Sequence, residues 1–476
     1  MTVEQYSPGT TGIQAQVEAC VARARTAQRR FESYTQEQVD DVVLAVGWAI
    51  MEPARNKALA ERAVADTGLG NVPDKVIKNH RKTLGLLRDL RGKKSVGVIA
   101  ENPAKGVIEI ARPVGVVGAV TPSTNPAATP ANKIINALKG RNAIILSPSP
   151  KGYSTATLLL QYIGEELDRI GAPRDLVQQL PAPVTKAATQ ELMRQVDLVV
   201  VTGSQNNVRA AYASGTPAIG VGAGNVAVIV DETCDVEQAA LKIRQSKTFD
   251  NATSCSSENS VVIVDSMYDA VVAALRRQGG VLLNAVQKRQ LQQTMWPDGK
   301  LSAAVTAKSA ARIAALAGLQ GSEFERAQFL MVEETEVGDE HPFSGEKLSP
   351  VLAVYRVNDF NEAMDKVRRI YAHEGAGHSI GIYSKDCNRP LQLGLHMPAC
   401  RIIVNQAHCF ATGGSFDNGL PFSLSMGCGT WGRNSISDNL NYKHFLNITR
   451  IATPCTPDEP TMDDIFGEYR RRHGLV

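Results

Sequence analysis

Apolar side chains recur every three or four residues through the first part of the chain. Two series show this spacing: Ile13, Val17, Val21, Ala24 and Phe31 form the first, and Val39, Val42, Val46 and Ile50 form the second. Side chains at this spacing lie on one face of a helix. The pattern therefore predicts helices up to about residue 95.

Beyond residue 107 the apolar runs become short and rich in β-branched residues, which is typical of buried strands. The runs are Val107–Ile110, Val114–Val120, Ala143–Leu146, Leu198–Val201, Val226–Val230, Val261–Val264, Leu352–Val357, Ile380–Tyr383 and Ile402–Val404. Helical spacing returns between several of them, at Ser154–Ile170, Gln205–Ala213, Met267–Arg276 and Glu362–Ile370. Alternating strands and helices indicate doubly wound parallel sheets, and the two series predict an α/β fold with two Rossmann-like domains in tandem.

The segment Lys105–Arg112 differs from these runs because it alternates polar and apolar residues and stops at Pro113. This alternation is typical of an exposed β-hairpin, which we expect to form an arm. The tail after Pro454 is charged, and we expect it to dock on a neighbouring subunit.

Composition narrows the class of protein. The 476 residues include 51 Lys and Arg against 48 Asp and Glu, a formal charge of +3, so no strong basic field favours nucleic-acid binding. The eight cysteines are dispersed without a CxxC pair, which argues against a disulfide framework and a zinc site. No apolar run approaches the roughly 18 residues that span a bilayer. We therefore expect a cytoplasmic α/β enzyme without a metal.

One glycine-containing turn is a candidate anion site. The buried-strand pattern Leu198–Thr202 runs into Gly203 and Ser204 just before a helix. A small residue, a capping hydroxyl and a helix N-terminus together bind phosphate well, although an ordinary strand–helix turn has the same pattern. The GxGxG series 220–224 precedes a strand instead of following one, which is the wrong context for a dinucleotide fingerprint.

The loop after Ala143–Leu146 is a candidate site for an adenosine ribose. It reads Ser147-Pro148-Ser149-Pro150-Lys151-Gly152 and contains no acidic residue. Loops at the carboxyl end of a parallel strand are where ribose contacts occur, and without a carboxylate Ser149 and Lys151 could accept a 2′-phosphate. A solvated loop is the alternative.

Cys255 is the candidate nucleophile. It lies in the polar segment 249–258, among small hydroxyls and amides, whereas most cysteines fill an apolar core. A thiol with a pKa near 8.5 is only slightly ionised at neutral pH, so catalysis requires a local dipole or a cofactor charge that lowers this pKa.

Taken in chain order, these segments resemble motifs of the aldehyde dehydrogenase superfamily, and specifically of its CoA-acylating branch. The motifs are Thr121–Pro126, Arg141–Ile145, Val201–Ser204, Lys247–Asp250 leading to Cys255, Glu346–Pro350, Arg401–Asn405 and Gly427–Ser435. They cover roughly residues 100 to 450, in family order and at family spacing.

The resemblance implies roles for individual residues. Cys255 would be the nucleophile and Asn125 the amide that holds the oxyanion, although an ungapped count from Pro126 places Thr124 there instead. The cofactor, NADP or NAD, would be bound by Thr121, Ser147, Ser149, Lys151, Thr202, Gly203, Ser204, Gly222 and Glu346, with Glu346 on the nicotinamide ribose.

The resemblance also implies which molecule takes the acyl group. Hydrolytic members use a glutamate upstream of the nucleophile to activate water, whereas here the matching stretch 219–225 has no carboxylate and places Gly220 near that position. Because glycine cannot act as a base, a thioester on Cys255 would be transferred to the thiol of CoA. A hydrolytic enzyme that releases the free acid is the alternative.

The expected substrate is a small aldehyde. Arg433 stands where relatives have glycine, and its guanidinium could pair with a sulfonate or carboxylate, contact CoA phosphates or lie on the surface. Together with the sequence around Cys255, this residue resembles members that convert sulfoacetaldehyde to sulfoacetyl-CoA; acetaldehyde or propanal is the alternative.

The resemblance finally implies a division of the chain. Residues 1–98 and 114–225 would form the cofactor-binding domain and residues 226–442 the catalytic domain. Residues 99–113 and 443–476 would form an arm through which a homodimer or homotetramer assembles.

Overall fold

The computed structural model describes residues 10–475. Four helices come first: α1 (Thr10–Phe31), α2 (Gln36–Met51), α3 (Pro53–Thr67) and α4 (Val72–Leu90). A capping box at Thr35 and Gln38 starts α2, and a left-handed Gly68 ends α3. The predicted helical stretch is confirmed, and its apolar stripes are buried, with Val46 fully covered.

The next two elements form a hairpin, β1 (Gly97–Asn102) and β2 (Val107–Pro113), which pair in antiparallel fashion. A single 3-10 turn at Pro103–Lys105 joins them. The hairpin expected at Lys105–Arg112 is therefore present, although its first strand lies before the segment that the alternation indicated.

A five-stranded sheet follows. Its elements in chain order are β3 (Val116–Thr121), α5 (Ala128–Lys139), β4 (Ala143–Pro148), α6 (Tyr153–Arg169), β5 (Val177–Gln179), α7 (Lys186–Gln195), β6 (Leu198–Thr202), α8 (Gln205–Tyr212) and β7 (Ala218–Val221). All strands are parallel, in the order β5-β4-β3-β6-β7. The strand order reverses between β3 and β6, and ligands bind at the carboxyl ends of strands at such a point.

A seven-stranded parallel sheet forms the second α/β unit. Its elements are β8 (Val226–Val230), α9 (Val236–Thr248), β9 (Glu258–Val264), α10 (Asp265–Arg277), β10 (Gly280–Leu282), α11 (Ala285–Met295), α12 (Ala310–Leu316), α13 (Ser322–Glu325), β11 (Phe329–Glu333), β12 (Val351–Val357), α14 (Phe360–His373), β13 (Ile380–Tyr383), α15 (Asn388–His396), β14 (Ile402–Val404) and α16 (His408–Ala411). The strand order is β10-β11-β12-β9-β8-β13-β14. Two parallel α/β sheets are what the alternating pattern predicted.

Three apolar cores hold these layers together. One joins α1 and α2 to the five-stranded sheet, and the other two cover the two faces of the seven-stranded sheet. None of the helices in residues 10–475 combines the length and apolar content that a bilayer crossing requires.

The chain ends with β15 (Leu446–Ala452) and α17 (Met462–His473). β15 pairs with β2, so segments far apart in sequence form one antiparallel sheet in the order β1-β2-β15. The predicted boundary at 225/226 falls between β7 and β8. Residues 1–9 and 476 of the predicted cofactor domain and arm lie outside the described residues.

Candidate active site

A cavity of about 570 Å³ lies at the carboxyl ends of β3 and β6 and reaches Cys255; we call it the main cavity. The predicted site residues that line it are Thr121, Asn125, Ser147, Ser149, Thr202, Gly203, Ser204, Gly222, Cys255 and Glu346, and Thr124 lines it as well. Lys151 and Arg433 are exposed and are not among its lining residues. Their predicted roles stay predictions.

Cys255 lies on a loop that is held in an unusual backbone conformation. The three residues Asp250, Asn251 and Ala252 have φ values of 51°, 51° and 59°, in the left-handed region that non-glycine residues rarely adopt. Thr253 Oγ1 donates to Asp250 Oδ2 over 2.6 Å, and Asp250 N donates to Asp74 Oδ2 over 2.7 Å. The loop is therefore anchored through Asp250 on one side of the nucleophile.

The thiol of Cys255, the candidate nucleophile, has a raised pKa. Burial is the main cause, and together with the nearby carboxyl of Glu346 and thiol of Cys428 it raises the pKa of Cys255 to about 12, which favours the neutral thiol. If Cys255 reacts as a thiolate, a local dipole or the charge of a bound cofactor must lower this pKa, as expected from the sequence.

The backbone of Cys255 passes so close to Gly224 that a side chain at position 224 would clash with it. A Cβ atom on Gly224 would lie 2.5 Å from the backbone oxygen of Cys255 and 2.8 Å from the His378 ring. His378 is itself buried, and burial lowers its pKa to about 3, so its ring is neutral. A larger residue at position 224 would displace the nucleophile loop.

Asn125 reaches the same region from the loop between β3 and α5. Lys78 Nζ donates to Asn125 Oδ1 over 2.8 Å and also to Thr253 Oγ1 over 3.0 Å and to Asp250. Lys75 Nζ donates to the backbone oxygen of Thr124 over 3.1 Å. Two lysines of α4 thus tie the candidate oxyanion loop to the nucleophile loop.

The lysines on α4 were not predicted from the sequence. Lys75, Lys78 and Lys82 are three and four residues apart, so they lie on one helical face, and all three are buried. Burial alone would raise the pKa of Asp250, but the charges of Lys78 and Lys75 outweigh it and lower this pKa. The helical spacing of the three lysines could have indicated a shared basic face. Such a face is usually exposed to solvent, so the spacing alone does not indicate a buried site.

The turn predicted to bind phosphate has the required geometry. Ser204 caps α8 by accepting from Asn207 N, and Gly203 has a φ of 156°. Thr202 Oγ1 lies 2.6 Å from Ser425 Oγ. A Cβ atom on Gly222 would lie 2.1 Å from the Gln205 amide nitrogen, so a side chain at position 222 would require Gln205, at the start of α8, to move.

The far end of the main cavity contains a cation that the sequence did not indicate. Lys186, at the start of α7, lines the cavity together with Ser149, and it is the one Lys, Arg or His among the described lining residues. Ser147 is buried and its hydroxyl lies 2.8 Å from that of Thr189. Lys186 is therefore a second candidate, beside Lys151, for a contact with a 2′-phosphate.

The cavity offers polar atoms that lack partners. Thr121 Oγ1 and Glu346 Oε1 are buried and have no hydrogen-bond partner among the described residues. Burial raises the pKa of Glu346 to about 8, and the charge of Glu374 adds to this effect. A long polar ligand such as a nicotinamide dinucleotide fits a cavity that joins a helix N-terminus, unpaired polar atoms and the nucleophile.

Gly220 stands near the position at which hydrolytic members have their general-base glutamate, and the structure shows the surroundings of this glycine. Gly220 is on β7, and a Cβ atom there would lie 2.6 Å from Val208 Cγ1 instead of in the cavity. Gly222 and Ala223 are the residues of this segment that line the cavity. Among the described lining residues, Glu346 is the one acid.

Comparison with known proteins agrees with this geometry. The family described as "Aldehyde dehydrogenase family" matches residues 3–325. The chain belongs to the aldehyde dehydrogenase family.

Relatives of this aldehyde dehydrogenase include an acylating sulfoacetaldehyde dehydrogenase from Cupriavidus necator. It is 62% identical over 96% of this chain and 93% of the relative. An acetylating aldehyde dehydrogenase structure from Geobacillus thermoglucosidasius has a TM-score of 0.90 at 37% identity, over 95% of this chain and 99% of that chain. A Rhodopseudomonas palustris propionaldehyde dehydrogenase with bound CoA and an acylated cysteine has a TM-score of 0.81 at 25% identity, over 92% and 97%.

Proposed function

We propose that this aldehyde dehydrogenase oxidises sulfoacetaldehyde to sulfoacetyl-CoA with NADP⁺ or NAD⁺. The observation that carries the acylating reaction is the composition of the cavity wall. Glu346 is the one acidic residue among the described residues that line the main cavity. The segment 218–225 contributes Gly222 and Ala223 to the lining and no acidic residue. A thioester formed on Cys255 therefore meets no water-activating base on that segment, and a thiol nucleophile can take the acyl group.

The chain's own residues would carry out the following steps. The sulfur of Cys255 adds to the aldehyde carbon, and the carbonyl oxygen becomes an oxyanion that accepts a hydrogen bond from the Asn125 amide. A nicotinamide cofactor bound in the main cavity would supply the hydride acceptor for this adduct. Loss of the hydride would restore the carbonyl as a thioester on Cys255. The thiol of CoA then attacks this thioester, releasing acyl-CoA and the free Cys255 thiol.

The remaining site residues would bind the cofactor. Thr202, Gly203 and Ser204 at the start of α8 would face its phosphates, and Glu346 would accept from the nicotinamide ribose. Thr121, Ser147, Ser149 and Gly222 would line its path along the cavity. These assignments rest on lining and burial of the side chains.

The domain roles and the assembly belong to the same proposal. The five-stranded unit would bind the cofactor, and the seven-stranded unit would supply Cys255 and Glu346. The sheet β1-β2-β15 and α17 would form the arm of a homodimer or homotetramer. Its support is the apolar surface of α17, where Met462, Ile465 and Tyr469 are more than half exposed. The cytoplasmic location stays a prediction.

Turnover with and without CoA tests the function. Purified enzyme is assayed for NADPH formation with sulfoacetaldehyde or acetaldehyde, each in the presence and absence of CoA, and the acyl product is identified by mass. We expect CoA-dependent turnover that favours sulfoacetaldehyde and yields sulfoacetyl-CoA. Equal turnover without CoA, with free acid as the product, would establish a hydrolytic enzyme instead.

A further inference from the structure

A second cavity approaches the nucleophile loop from the side of α4. This cavity, which we call the neck, has a volume of about 30 Å³. It shares Asn125 and Ser254 with the main cavity, and it shares Arg81 and Phe249 with an outer cavity of about 760 Å³. The neck therefore lies between the main cavity, which it meets at Asn125 and at the residue before Cys255, and the outer cavity.

The neck is positively charged. Lys78, Arg81 and Lys82 line it, and its described lining contains no carboxylate. Lys78 forms an ion pair with Asp250, and its ammonium group donates to three acceptors. All three of its donors are therefore used. Arg81 and Lys82 form no direct ion pair with the carboxylates of residues 10–475. The charge of Asp417 acts on Arg81 through the intervening Ser415 hydroxyl, whereas no carboxylate is among the groups that act on Lys82.

Both cations have donors to spare. Lys82 Nζ donates to the backbone oxygen of Gly413 over 2.7 Å, which leaves two of its three N–H groups. Arg81 donates through one Nη to Ser415 Oγ over 2.7 Å, and Ser415 in turn donates to Asp417. The Nε of Arg81 is buried and has no partner among the described residues.

The surroundings of these cations favour an anion. Lys82 Nζ lies 5.5 Å from the centre of the Phe422 ring, and Arg81 lies 5.1 Å from that of Phe416. Burial lowers the pKa of Lys82 to about 8, and the charges of Arg81 and Lys78 lower it further, whereas ionised Cys409 and Cys255 would raise it. A buried cation in such a place is stabilised by a bound negative group.

We propose that Arg81 and Lys82 bind the anionic group of the substrate, a sulfonate on the carbon next to the aldehyde carbonyl. This inference rests on the proposed function, since it assumes that the carbonyl reacts at Cys255 beside Asn125. One carbon then separates the reacting carbonyl from the group directed into the neck. A neutral aldehyde would leave both cations unpaired, so the site discriminates by charge. Arg433, the cation that the sequence suggested for this role, is exposed and lines neither cavity.

Removal of each charge tests the site. Arg81→Gln and Lys82→Gln are assayed with CoA and NADP⁺ on sulfoacetaldehyde and on acetaldehyde, which has the same number of carbons and no charge. We expect kcat/KM for sulfoacetaldehyde to fall about 10- to 100-fold, the size of a lost hydrogen bond to a charged group, and acetaldehyde to change less than about threefold. Arg91→Gln, on an exposed cation at the end of α4, is the matched control and should change neither.

The outcomes separate this inference from the proposed function. Equal losses on both aldehydes, or no loss on sulfoacetaldehyde, would overturn the anion site while leaving the acylating reaction intact. Wild-type turnover that ignores CoA would overturn the proposed function.

Non-reactive binding gives a second readout for variants that fold poorly. Ethanesulfonate, which carries the anion without the aldehyde, should inhibit the wild type competitively. It should bind about tenfold more weakly to Arg81→Lys, which keeps the charge and loses the planar fork of donors. Unchanged inhibition of Arg81→Lys and Lys82→Gln would contradict the site.

Discussion

Lys78 Nζ donates a hydrogen bond to Asn125 Oδ1 over 2.8 Å, and this contact orients the Asn125 amide. A lysine ammonium group has donors and no acceptor, so the atom of Asn125 that faces it must be the oxygen. The amide NH₂ then points away from Lys78, and among the described residues it makes one long hydrogen bond, of 3.5 Å, to Thr124 Oγ1. Asn125 lines the main cavity, so a ligand oxygen there could replace this weak contact. Of the two candidates for the oxyanion donor, Asn125 therefore has its donor oriented by a buried partner, whereas Thr124 is held by its backbone oxygen.

Asn125→Ala should lower kcat by about 10² to 10³, the usual effect of removing one oxyanion donor. The loss should fall on kcat with sulfoacetaldehyde and with acetaldehyde alike, because the oxyanion is common to both. Steady-state kinetics with Thr124→Ala as the matched variant checks the assignment. A nearly unaffected Asn125→Ala beside an impaired Thr124→Ala would transfer the role to Thr124.

Lys78→Met should lower kcat through the Asn125 amide, because Lys78 donates to Asn125 Oδ1 and its three donors are used by protein acceptors. We expect the double variant Asn125→Ala with Lys78→Met to be about as slow as Asn125→Ala alone, because both remove the same interaction. The thermal unfolding temperature of each variant is the control for a general loss of stability, because Lys78 is also a buried partner of Asp250. Losses that multiply in the double variant would show that Lys78 acts by another route.

Alkylation of Cys255 should depend steeply on pH. Its raised pKa, about 12, means that the thiolate fraction rises roughly tenfold for each pH unit from pH 7 to pH 10. The rate of iodoacetamide labelling, followed by mass spectrometry of the peptide, should therefore climb without levelling, with exposed Cys387 as the internal reference. A plateau near pH 7 in the enzyme without cofactor would contradict a neutral buried thiol.

At pH 9, Glu346→Gln should raise the KM for the cofactor by about tenfold, because a carboxylate that accepts from ribose hydroxyls binds more strongly than an amide. The wild-type pKa of about 8 sets the sign of the pH dependence. Below pH 8 the wild-type carboxyl is protonated and resembles the amide, so the difference in KM should grow from pH 7 to pH 9. A loss of kcat at unchanged KM would instead indicate that Glu346 is a general base.

Lys186→Ala should raise the KM for NADP⁺ about tenfold and change that for NAD⁺ less than about twofold, since an exposed lysine contributes mainly to a 2′-phosphate. The comparison is Lys151→Ala, which removes the cation that the sequence indicated for this role. A larger effect of Lys151→Ala on NADP⁺ would return the role to Lys151.

Local patterns were enough to locate many elements of the fold. Val226–Val230, Ile380–Tyr383 and Ile402–Val404 were predicted to the residue, because each is a continuous apolar run whose signal depends only on chain neighbours. The strands β5, β7, β10 and β11 were missed. The first three have at most two consecutive apolar residues, whereas β11 contains the continuous apolar run Phe329–Val332, a signal that the sequence prediction overlooked. Pairing with longer strands in the sheet stabilises them.

The sequence by itself determined the two α/β units, the loop that carries Cys255 and the glycine segment without a base, because these are properties of contiguous residues. Only the tertiary structure decided which cations surround the nucleophile. Lys78 and Asp250 are 172 residues apart, and their contact exists because α4 packs against the loop before β9. The spacing of residues on a helix shows which side chains share a face. Only the packing of that helix determines whether the face is exposed to solvent or buried against the active-site loops.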